Sequence, residues 1–186
     1  FAEIKRKSDS LLIEKYGFYF FNNYIIQNTN QSYYYGSGNS GSWFEVPNFK
    51  PNEFLMRYDI KLKDGERFLV FDFELDGNGQ LKPKNTIKTF SNFKNNILLT
   101  IKSADSIALL NGLTEKDKPF SYEFDCITDS LHKSRCNLEF SITGKPFESK
   151  DNGSEFTEYC YKINVNPFTM EFISKDIIEI LWNVCH

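Results

Sequence analysis

The first 125 residues of this 186-residue chain lack cysteine, and all four cysteines fall in the last third, at Cys126, Cys136, Cys160 and Cys185. No pair has the tight Cys-x2-4-Cys spacing of a structural zinc knuckle, so the looser set Cys126, His132, Cys136 and Cys160 is a poor zinc site, and no metal or other cofactor is expected. Histidine is nearly absent: there are two, His132 and His186. Asp129 and Ser130 lie beside His132 in sequence, but a catalytic triad needs groups that converge from separate elements. No catalytic residue is therefore assigned. No apolar run approaches the roughly 20 residues that span a bilayer. A basic surplus is also missing: 22 basic residues stand against 25 acidic ones, a net charge of −3. That balance argues against a nucleic-acid partner and suits a basic protein partner. Alanine and arginine are scarce while Asn, Lys, Phe, Tyr and Ile are plentiful, the skew AT-rich codons produce. The 19 Phe and 10 Tyr are accordingly discounted as a sign of ligand binding.

What is present points to one β-rich domain over residues 1–186. Met56, Tyr58, Ile60 and Leu62 alternate with charged residues, the period-two signature of a strand with one wet face. Asp64-Gly65 predicts a type I′ turn, after which Leu69, Phe71, Phe73 and Leu75 share one face of a returning strand. Asp76-Gly77-Asn78-Gly79 predicts a second turn, into a third antiparallel strand that includes residues 86–90. Further strands are expected at 18–26, 97–102, 120–126, 137–142 and 156–165. Helices are expected at 8–17, capped by Ser8, Asp9 or Ser10, and at 104–111 behind a Ser103 cap. A C-terminal helix is expected from about Ser174 to Trp182, because Ile177, Ile178, Leu181 and Cys185 have helical spacing. The fold class is mainly β (α+β): an antiparallel sandwich or curved sheet with short peripheral helices.

Strand parity separates the cysteines. Phe120, Tyr122, Phe124 and Cys126 share a face, as do Cys136, Leu138, Phe140 and Ile142. A hairpin would bring Cys126 to Cys136 within disulfide reach and staple a nine-residue loop, 127–135. Cys160 and Cys185 then pair by elimination, although Cys160 falls on the polar side of its strand with Glu158 and Lys162. Two disulfides imply an oxidising space, periplasmic or extracellular; free thiols would imply the cytoplasm. The chain begins Phe1-Ala2-Glu3 without an initiator Met, so it is read as a processed mature form or a trimmed one, either of which could have lost a signal peptide. The stapled loop presents Asp129, His132, Lys133 and Arg135, the expected binding residues, because rigidifying a charged loop lowers the entropy cost of binding.

Two motifs fail on context. Gly36-Ser-Gly38-Asn-Ser-Gly41 matches a dinucleotide fingerprint literally, but Trp43–Pro47 after it is extended and then broken, with no helix to meet a phosphate. Asp72-x-Glu74-x-Asp76-Gly77 resembles a calcium loop, but Pro83 stands where the bidentate Glu should be. The expectation is a non-catalytic, exported protein-binding domain, in concrete form a periplasmic immunity or inhibitor protein that occludes a toxin or enzyme. The alternatives are a lipid- or glycan-binding barrel or sandwich and a carboxylate-dependent hydrolase. The hydrolase reading requires a cleft holding two acids with shifted pKa values.

Overall fold

The computed structural model describes the chain except residues 95–97, 130–131, 152–154 and 184–186; at Leu69, Asp129, His132, Lys133, Glu155 and Asn183 it describes the backbone alone. Contacts divide the chain into two compact units, Phe1–Ser91 with Thr128–Asn137, and Asn92–Ile127 with Leu138–His186. Among the described residues, two mainly antiparallel sheets and three α-helices make the chain mainly β, of the α+β kind.

The first unit opens with two consecutive helices, α1 (Ala2–Tyr16) and α2 (Phe18–Tyr24). Ile4, Ser8, Leu12, Tyr16, Phe20 and Tyr24 are all buried, one residue in every four. This single stripe faces the sheet, because side chains four apart stack on one helix face. Tyr16, Phe20 and Tyr24 meet along it, with ring centroids 5.9 and 5.2 Å apart. The strand expected at 18–26 is thus corrected: a helix occupies 18–24, and only Ile25–Gln27 is strand (β1). Strand propensity in Phe-Tyr-Phe-Phe yields to this packing. Gly17 stops α1 with φ 80°, as its position predicts, but α1 begins earlier than expected. Ser8 is therefore not a cap. It is buried within α1, and the Tyr58 hydroxyl lies 2.7 Å from both Ser8 Oγ and Asp9 Oδ1.

The sheet of this unit contains β1, β2 (Tyr33–Gly36), β3 (Asn39–Ser42), β4 (Glu53–Lys61) and β5 (Arg67–Asp76). The predicted β4–β5 hairpin is present, with Met56 opposite Phe73 and Lys61 opposite Arg67. Met56, Tyr58, Ile60 and Leu62 are buried, as their alternation implies. The turn is not type I′, since Gly65 alone takes positive φ (103°) and the Leu62 N–H bonds the Glu66 carbonyl. The glycine-rich segment forms the β2–β3 hairpin, whose Ser37 and Gly38 both have positive φ. That places it in a tight turn, not in a phosphate loop. Asp76 Oδ1 accepts from the Asn78 and Gln80 N–H groups, so it closes a turn. Among the described residues no group of three or more His, Cys, Asp or Glu could hold a metal ion. The expected third strand of a meander is replaced by an isolated Leu75–Leu81 bridge and a two-residue strand, β6 (Thr89–Phe90).

The second unit contains α3 (Ile101–Leu110), β9 (Glu148–Asp151), β10 (Glu155–Val165) and β11 (Phe172–Asn183). Strands β7 (Ser121–Asp129) and β8 (His132–Thr143) contribute residues to both units. Thr100 caps α3, with Ser103 as the reciprocal partner of a capping box. The helix therefore starts three residues before the expected position, and of the strand predicted at 97–102 the described residues 98–102 form none. Phe140 packs between Tyr122 and Phe124, at 5.9 and 4.8 Å, while Leu138 and Ile142 are fully buried beside it.

The expected C-terminal helix is the largest correction. Residues 172–183 form β11, which pairs antiparallel with β10 through eleven residue pairs. The Ile177-Ile178 doublet fits helical spacing, but four isoleucines, a phenylalanine and a tryptophan across the segment favour extended backbone. No helix is long and apolar enough to cross a membrane among the described residues.

Candidate interaction surface

The predicted stapled loop is mostly strand. Asp129 ends β7, and His132 and Lys133 open β8, while Arg135 is exposed and aligns in parallel with Thr89 of β6. The side chains of Asp129, His132 and Lys133 lie outside the described residues. Cys126 and Cys136 are disulfide-bonded across this hairpin. Cys160 is a free, buried thiol, and Cys185, its expected partner, lies outside the described residues. Cys160 lies opposite Ile178 across the β10–β11 ladder, and burial pushes its thiol pKa up, as does the nearby Glu158. A buried thiol of this kind is inert.

One face of the second unit's sheet carries a row of polar side chains that crosses four strands. Lys162 of β10 donates to Asp125 Oδ2 of β7 at 2.8 Å. Ser141 Oγ of β8 lies 2.7 Å from that same carboxylate oxygen and 2.7 Å from Asn164 Oδ1. Asn164 donates to Ser174 Oγ of β11 at 3.0 Å, and Ser174 donates to Asp176 at 2.9 Å. The row pins the register of β7, β8, β10 and β11, because a one-residue slip would turn every member to the opposite face.

Two carboxylates here have opposite shifts. Burial alone would raise Asp125, but the hydrogen bonds from Lys162 and Ser141 outweigh it and hold the carboxyl below its usual range. Glu139 is raised, first by burial and then by the negative Asp125. Asp125 is bonded by Lys162 and Ser141, and Ser141 bonds Asp125 and Asn164, so the row binds itself together.

The shifts predict a pH signature. A carboxylate lowered in the folded state stabilises above its unfolded pKa and loses that contribution as pH falls through the folded value. Asp125→Asn should therefore destabilise at pH 7 and have little effect under strong acid. A raised carboxylate acts in reverse, so Glu139→Gln should stabilise at pH 7 and be neutral below the unfolded value. Each effect should stay under about 1 kcal/mol, since both side chains remain partly exposed to screening solvent. Urea unfolding at neutral and acid pH measures both.

The remaining feature is the edge of the sheet. Among the described residues β11 is bonded on one side only, to β10. It is 12 residues long, and it exposes Ile177 (61 %), Leu181 (64 %) and Trp182 (54 %). On the face of Ile177, Tyr161 stacks on Phe147 at 4.5 Å, and the Lys175 ammonium sits 4.6 Å from the Tyr161 ring centroid. Lys175 also donates to the Gly112 carbonyl at 2.8 Å. Lys116 and Lys145 line the same cleft, giving an acidic chain a local basic rim. Asp117 beside them is held below the usual carboxylate range, chiefly by the Thr114 side chain.

Sequence reasoning missed this edge because it read 174–182 as a helix. The signal for strand, though not for an edge, was the β-branched content Ile173, Ile177, Ile178 and Ile180. No protein-family model, curated protein or solved structure matches this chain.

Proposed function

We propose that this chain is a non-catalytic, exported protein-binding domain that takes hold of its partner by strand addition at β11. One observation carries the reading: β11 is a 12-residue strand on a sheet edge with exposed apolar side chains along it. A long apolar edge is a template for another chain, and proteins that do not use one blunt it with Pro, charges, bulges, short length or a covering loop; β11 has a bulge at Ile173 and charges at Lys175, Asp176 and Glu179, beside its exposed Ile177, Leu181 and Trp182. β11 contains no proline. In strand addition the main-chain hydrogen bonds supply affinity, and alternate side chains supply selectivity. The Cys126–Cys136 disulfide supports an oxidising compartment. An inhibitor or immunity role fits a domain whose polar groups are spent on its own register while one edge stays open.

The test uses extended peptides selected from a displayed library on the folded protein. Selected peptides should slow amide exchange along β11. The double substitution Ile177→Lys with Leu181→Lys should weaken them at least about tenfold, without shifting the thermal midpoint. Peptides that protect another surface and tolerate both substitutions would contradict the reading.

A further inference from the structure

The residues of β11 limit what can pair with it. An antiparallel copy added by a two-fold axis must keep each sheet face on its own side, so the axis stands perpendicular to the sheet. The axis then passes through one residue, which faces itself, and every other residue faces the one equally far on the opposite side. An axis at Lys175, Asp176 or Glu179 sets two like charges directly opposite each other, which is destabilising. An axis at Ile178 sets Lys175 opposite Leu181 and Glu179 opposite Ile177, with no charge compensated. An axis at Ile177 sets isoleucine on isoleucine and Lys175 opposite Glu179 on both sides.

The backbone leaves room for this centre. Asn164 pairs with Ser174 but Val165 pairs with Phe172, so Ile173 is the extra residue of a bulge. Regular strand therefore runs from Ser174 to Asn183, and the three residues on each side of Ile177 that this register pairs all lie within it. Its charges are also ready. Asp176 is already bonded by Ser174 and Asn164 in its own chain and needs no outside partner. Glu179 has no ion pair among the described residues. Lys175 spends one donor on Gly112, and an ammonium has three.

We propose that the occupant of β11 is a second copy of this chain, paired antiparallel about Ile177, so that two copies of the second unit's sheet join edge to edge. This rests on the reading of β11 as a docking edge and names its partner. The charges on the strand set the register, with Lys175 of each copy against Glu179 of the other.

Sedimentation of the intact chain from about 1 to about 100 µM tests it. The expected result is a reversible dimer that Lys175→Glu and Glu179→Lys each weaken at least about tenfold and that the double swap restores to within about threefold. Lys175→Glu also removes the Gly112 contact, so a register-specific measurement stands beside it. Ile177→Cys should oxidise to a linked dimer, because self-facing residues have Cα atoms about 4.5–5.5 Å apart, and Glu179→Cys should not. A chain that stays monomeric overturns the pairing; if selected peptides still dock on β11, the docking reading survives it. A dimer that ignores both swaps, or one that the double swap does not restore, also overturns the pairing.

Discussion

Phe140→Ala should cost about 3–5 kcal/mol of folding stability, whereas Ile177→Ala and Leu181→Ala should each cost no more than about 0.5 kcal/mol. Phe140 is fully buried and makes ring contacts with Tyr122 and Phe124, so truncation removes transfer energy and leaves a cavity between two aromatic neighbours. Ile177 and Leu181 are more than half exposed, so truncation leaves no void. Chemical denaturation of the three variants measures the contrast. It bears directly on function. Side chains that contribute little to folding, yet are large, apolar and in line along an open edge, have their use outside the monomer. If Ile177→Ala costs as much as Phe140→Ala, the edge is part of the core and the docking account loses its basis.

Replacing Cys126 and Cys136 with serine should cost about 2–3 kcal/mol, the loop-closure value for a bridge about ten residues apart. Both cysteines sit on the apolar side of their strands, and Cys136 is 1 % exposed. Serine would also bring a hydroxyl into that apolar site, so paired alanines are the cleaner comparison. Reducing agent should lower the thermal midpoint of the native protein and leave that of the double alanine variant unchanged. Equal midpoints with and without reductant in the native protein would show that the thiols contribute no cross-link. The same experiment bears on compartment, because a stabilising disulfide needs an oxidising one.

The β4–β5 hairpin was legible because its alternation is regular and its two strands adjoin in sequence. The inward parity of Cys136, Leu138, Phe140 and Ile142 was legible for the same reason. Misreadings arose where one composition serves two geometries. Phe18–Tyr24 has strand propensity, and only the stripe that continues from Ile4 to Tyr24 at every fourth residue marks it as helix. Ile177, Ile178 and Leu181 satisfy the helical and the strand pattern together, and pairing with β10 decides between them. The docking edge could not be read from sequence at all. Whether a strand is central or marginal depends on which distant strands lie beside it, and local periodicity carries no such information. The predicted loop residues illustrate the converse: Asp129 and His132 looked like loop because they are polar, but the β7–β8 ladder extends through them.

Residue-resolved amide hydrogen exchange along β11 tests the central claim most directly. In dilute protein, the N–H groups directed at β10 should exchange slowly and the intervening ones quickly, the alternation of a strand bonded on one side. When the edge is occupied, by concentration or by a selected peptide, the fast set between Ser174 and Ile180 should become slow while amides elsewhere keep their rates. Uniform protection at high dilution, or a fast set that stays fast when binding is saturated, would contradict a docking edge at β11.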